Sequence, residues 1–155
     1  LYAKYGGTWS KISLDRLNKK KQRDVITEFK YHGANITNTS FYLPMTGDEA
    51  VYTANDLNTH YKGSFIAPYD GKLDFVTLQA QGAIIGLTSM FLVKNETIEF
   101  RPVKKNVESG ESTIFQFNKS NGNHFKKGDK IQIFIISSGN MSHTTITSIW
   151  KYFLA

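Results

Sequence analysis

The sequence contains no cysteine. That excludes disulfides, thiolate metal sites and cysteine nucleophiles. It leaves the compartment open, because extracellular assemblies also do without cysteine. No apolar run approaches the ~18 residues of a membrane-spanning helix, and no charged-then-apolar leader pattern opens the chain. Position 1 is leucine rather than methionine, which raises the expectation of a segment upstream.

The motifs of common chemistries are also missing. Neither the phosphate-cradling G-x-x-x-x-G-K-[ST] nor the dinucleotide G-x-G-x-x-G occurs. The histidines His32, His60, His124 and His143 have no H-x-H, H-x-x-x-H or H-E-x-x-H spacing, so no zinc signature exists. His124, beside Phe125, reads as a loop residue. No G-x-S-x-G elbow is present, and the neighbours Ser142 and His143 do not make a triad, which is assembled in space. Asp48, Glu49 and Asp56 form an acidic stretch without calcium-loop spacing, and the acids in general read as solvated turn residues. No catalytic residue, metal or cofactor is implied, and the reading is non-enzymatic.

What is present is a chain of 155 residues, 40% hydrophobic and 14% aromatic. That is enough for one domain with a real core and too apolar for a disordered chain. The formal charge is +6, which permits weak attraction to polyanions. The densest basic run is Lys19-Lys20-Lys21 with Arg23. No aromatic is interleaved with it, so it reads as a solvated face or an attachment segment rather than a nucleic-acid site.

From about residue 64 the pattern is strand after strand. "GKLDFVTLQAQ" sets Leu73 and Phe75 on one face and Val76, Leu78 and Ala80 on the other, with the parity blurred mid-strand. "DKIQIFIISSG" alternates Ile131, Ile133 and Ile135 with Gln132, Phe134 and Ile136. Between such runs lie Asp70-Gly71, Lys94-Asn95, Ser109-Gly110, Gly128-Asp129 and Gly139-Asn140, residues that tolerate the backbone of tight turns. Short β-branched and aromatic strands with regular turn signals predict an all-β antiparallel sandwich. Residues 1–60 read as less regular. "NITNTSFYLPM" is β-like, a short strand is expected at Val51–Thr53, and "ISLDRLNKKKQRDVITEF" fits a short helix, strands or irregular structure.

The aromatics Trp9, Tyr31, Tyr42, Tyr52 and Tyr61 crowd the first half of the chain. Beyond ordinary core packing, side chains of this type anchor subunit contacts or stack on sugars. Trp150 and Tyr152 close the chain on an apolar strand, expected to be buried or to lie at a subunit contact.

One stretch carries more than composition. Pro68-Tyr69-Asp70-Gly71 turns between the first core strands, and Phe125-Lys126-Lys127-Gly128-Asp129 opens a long apolar strand. With the closing Trp150-Lys151-Tyr152, this order resembles the jelly-roll modules of tailed-bacteriophage virion appendages, such as head and tail fibres. More distantly it is similar to the trimeric jelly rolls of the complement-head and tumour-necrosis type. The resemblance covers residues 61–155. It implies a jelly-roll sandwich over 61–155, with residues 1–60 as an arm or as part of the same domain. It further implies a virion location, homotrimers, and contact with capsid, portal or tail proteins. A host surface glycan is the alternative partner, while neither nucleic acid nor membrane is expected.

Overall fold

The computed structural model describes residues 2–5, 8–11, 25–36, 40–45, 52–53, 64–81, 86–98 and 101–154. In chain order the strands are β1 (Tyr2–Tyr5), β2 (Thr8–Lys11), β3 (Val25–Ile36), β4 (Ser40–Leu43), β5 (Tyr52–Thr53), β6 (Phe65–Ile66) and β7 (Gly71–Gln81). They continue with β8 (Gly86–Lys94), β9 (Thr97–Ile98), β10 (Val103–Val107), β11 (Ser112–Gln116), β12 (His124–Phe125), β13 (Lys130–Ser137) and β14 (Met141–Tyr152). A single 3-10 turn, Lys119–Asn121, is the only helical element among the described residues. All pairings are antiparallel.

β1 and β2 form a hairpin of their own. The other strands make two sheets. One runs β11-β7-β14-β3 and the other β10-β8-β13-β4-β5. Taking the long strands in chain order, the connections from β3 to β4, β4 to β7 and β7 to β8 each cross between sheets. Only β8 to β10 stays within one sheet, and the next three connections cross again. That order is the eight-stranded jelly roll, two Greek keys wrapped into a sandwich.

The N-terminal stretch contributes directly to it. β3 pairs with β14 from Val25 opposite Tyr152 to Ile36 opposite Met141, and β4 pairs with the central strand β13. Two of the eight jelly-roll strands therefore lie before residue 61, and the sandwich begins upstream of that boundary. Pairing with β14 is what makes Val25–Ile36 a strand; its own sequence, with Gly33 and mixed polarity, leaves the conformation open.

The core lies between the sheets. Leu73, Val76, Leu78, Phe115, Ile146 and Trp150 from one sheet meet Phe41, Met90, Leu92, Ile131, Ile133 and Ile135 from the other. Trp150 is fully buried, with Phe65 edge-on at 5.2 Å and Phe125 at 5.8 Å between ring centroids. The blurred parity of β7 has a structural cause. Ile149 pairs with Phe75 but Trp150 pairs with Leu73, so Asp74 is an extra residue on β7. This bulge lets Leu73 and Val76, three positions apart, both face the core. A second irregularity, between Ser142 and Thr145 on β14, coincides with a left-handed backbone at His143.

The reverse face of β13 departs from the usual apolar-in, polar-out pattern. Gln132 and Phe134, which alternate with the core isoleucines, are buried as well. Phe134 sits between its cross-strand partners Tyr42 and Phe91, at ring distances of 4.7 and 5.8 Å. An aromatic row thus crosses the outer surface of this sheet.

Candidate functional site

β7 and β13 start, and β8 and β14 end, at the same end of the sandwich. The two turns that the sequence singles out, 57 residues apart, meet there. Gly71 makes the close approach possible. A Cβ at this position would run into the Lys151 carbonyl and come within 2.9 Å of the Phe125 ring. Gly128 takes a φ of +90°, which L side chains rarely adopt.

Two carboxylates hold the turns together. Asp70 accepts the Lys127 amide at 2.9 Å through Oδ1, and its backbone carbonyl accepts the Phe153 amide at 2.8 Å. Asp129 accepts the Lys126 amide at 2.8 Å through Oδ2 and the Asn95 side-chain amide at 2.9 Å through Oδ1. Backbone bonds complete the joint, from Ala67 to the Asp129 carbonyl (2.9 Å) and from Gly128 back to Ala67 (2.8 Å). Asn95 occupies a two-residue turn with Glu96, both at positive φ, and its Oδ1 accepts the Lys130 amide at 3.0 Å. The charge-assisted bonds set the acidities. The Lys127 amide outweighs the opposing effect of burial, and the Lys126 charge adds a smaller pull, so Asp70 is held below the usual carboxylate range. The Lys126 amide and the Asn95 amide do the same for Asp129.

A cleft of about 290 Å3 opens beside this clamp, lined by Asp70, Lys94, His124, Lys126, Asp129 and Phe153. His124 lies on the two-residue strand β12, opposite Lys72. Its ring is oriented by a buried neighbour. Asn123 donates its side-chain amide to the Leu73 carbonyl at 2.8 Å, which leaves Asn123 Oδ1 as an acceptor facing His124 Nδ1 at 2.7 Å. Nδ1 therefore carries the proton, and in the neutral ring Nε2 is the open lone pair. Burial lowers the His124 pKa, and Lys119, Lys72, Lys94 and Lys126 lower it further. Phe153 stands 6.0 Å from the imidazole, its plane tilted by 32°.

The structure places the sequence candidates as follows. Pro68, Tyr69, Asp70, Gly71, Gly128 and Asp129 come together in the clamp. Trp150 and Tyr152 are buried in β14. Tyr42 and Tyr52 are cross-strand partners in the β10-β8-β13-β4-β5 sheet, Tyr31 lies in β3 of the other sheet, and Trp9 lies in the β1–β2 hairpin. Tyr61, Lys19, Lys20, Lys21 and Arg23 fall outside the described residues, as do Asp48, Glu49 and Asp56. His124, read from sequence as a loop residue, belongs to a strand and borders the cleft. Its only sequence signal is position, next to the Phe125 that opens the second turn. Ser142 is committed to the Gln81 carbonyl at 2.9 Å. Among the described residues no group of three or more His, Asp or Glu is placed to hold a metal ion.

No protein-family model matches the chain, and no curated protein matches it. Among solved structures it is similar to VP2 of infectious bursal disease virus, at 10% identity and a TM-score of 0.33, over 86% of this chain and 36% of that one. A structure of the Gx strain of that virus gives 12% identity and a TM-score of 0.33, over 99% of this chain and 46% of the other. Mud crab dicistrovirus gives 13% identity and a TM-score of 0.28, over 99% of this chain and 79% of the other. The chain thus spans less than half the length of the two bursal disease virus proteins. Likenesses at this level add nothing to what the strand order already establishes.

Proposed function

We propose that this chain is a non-enzymatic structural protein of a tailed-phage virion, assembling as a homotrimer into a fibre, head decoration or tail appendage. The observation that carries the proposal is the outer face of β13. Phe134 is buried there beside Tyr42 and Phe91, while Leu87 and Ile136 on the same face remain 54% and 38% exposed. A neighbouring subunit packed on Leu87 and Ile136 would take that exposed apolar surface out of water. The jelly-roll order and the meeting of the two signature turns support the appendage resemblance, which remains a fold-level analogy.

In this reading the N-terminal residues, with Lys19, Lys20, Lys21 and Arg23, attach the sandwich to capsid, portal or tail proteins. Deleting residues 1–24 leaves all eight jelly-roll strands in place. The deletion variant is expected to keep its β-type circular dichroism and to be lost from assembled particles. Normal incorporation overturns the attachment role.

A further inference from the structure

We propose that the cleft beside the clamp binds an acidic sugar, a single uronate-type ring whose carboxylate faces Lys126 and His124. The inference does not depend on the assembly reading, since the cleft is built within one chain.

Four observations converge on it. At about 290 Å3 the cleft lies at the small end of ligand cavities, which run from roughly 300 Å3 upward, and suits one ring rather than an extended chain. Phe153 is 37% exposed at its rim, and an exposed aromatic face is the common platform for the apolar side of a pyranose. Asp70 keeps Oδ2 for a weak, 3.5 Å pairing with Lys126, and both side chains are well exposed. That pairing is readily exchanged for a sugar hydroxyl on Asp70 and a ligand carboxylate on Lys126. The fourth observation is the field at His124. The charges bearing on it are those of Lys72 on β7, Lys94 on β8, Lys119 in the 3-10 turn and Lys126 in the clamp. The clamp carboxylates Asp70 and Asp129 also line the cleft, each with an oxygen already accepting a backbone amide. A bound carboxylate would offset the lysines and favour the imidazolium, turning Nε2 into a donor toward the ligand. Binding then takes up a proton and tightens as pH falls from 8 toward 5.

The test is an NMR titration of the full chain with D-glucuronate, with acetate and with glucose, following the His124 ring and the amides of Lys127, Asp129 and Phe153. Glucuronate is expected to produce saturable shifts at these positions and to raise the His124 pKa. Acetate is expected to need about tenfold higher concentration, and glucose to produce no shift. Lys126→Met should weaken glucuronate binding about tenfold without disturbing the remaining spectrum, because this side chain is exposed. Phe153→Ala should weaken glucuronate and leave acetate unchanged. Equal response to acetate and glucuronate, saturation at other residues, no saturable shift, or full affinity in Lys126→Met overturns the proposal.

Discussion

The two ends of the sandwich are built with different chemistry. At one end the turns at 67–70, 95–96 and 126–129 are joined by carboxylates accepting amides, with Lys126 beside them. At the other end the side-chain contacts among the described residues include neutral ones. Ser138 donates to the Leu87 carbonyl at 2.9 Å, Ser137 to Gly139 at 2.7 Å, and Gln79 to Gly110 at 2.9 Å. Both ends satisfy the backbone groups that strands leave unpaired where they stop. Among the described residues, the first end does so with carboxylates, and the cleft lies beside them. The difference separates exposed carboxylates that take no part in these joints, as Glu108 and Glu111 at the second end, from carboxylates that join turns, as Asp70 and Asp129 do at the first.

Glycine substitution gives the largest expected contrast. Gly71→Ala forces a methyl against the Lys151 carbonyl and the Phe125 ring, and overpacking against backbone costs about 3 kcal/mol. Gly86→Ala at the second end meets Ser138 Cβ at 3.2 Å and a φ of +63°, for a cost of about 1–2 kcal/mol. Urea denaturation measures both, and equal costs would erase the distinction in packing between the ends.

Smaller effects follow from the side-chain bonds. Asp129→Asn keeps one acceptor and loses the charge, so it should destabilise by about 1 kcal/mol. Ser138→Ala, with an exposed hydroxyl, should stay within about 0.5 kcal/mol. Reversed magnitudes in the same urea assay would show that the carboxylates are not what joins the turns.

Acid should separate the ends without any mutation. Asp70 and Asp129 have folded-state acidities below the ordinary carboxylate value. Their contribution is therefore complete above the unfolded value of about 4 and is lost as pH falls through the lower folded values. Below about pH 4 the amide resonances of Lys126 and Lys127 should titrate with the carboxyl carbons of the two aspartates. The Ser138 amide, which bonds the Leu87 carbonyl, should not move.

Much of this was legible in the sequence, and the parts that were not share a cause. Alternation in "KIQIFI" and the Asp-Gly and Gly-Asp pairs are local signals, and they placed β13 and both turns. The blurred parity in "KLDFV" marked the Asp74 bulge without revealing its partner. The meeting of Asp70 with Lys127 and the pairing of β3 with β14 depend on strand order, which no local pattern encodes. For the same reason residues 1–60 read from sequence either as an arm or as part of the same domain, whereas β3, from Val25, pairs with β14. His124 was invisible for a further reason: its role depends on Asn123, whose orientation is set by the Leu73 carbonyl fifty positions away.

The assembly reading rests on the exposed Leu87 and Ile136 of the outer face, and the native mass of the purified chain by light scattering tests it most directly. The account predicts a particle near three times the 17.6 kDa chain mass. Charge introduced beside the row, as in Ile136→Lys, should reduce it to one. A wild-type monomer at high concentration would contradict the account.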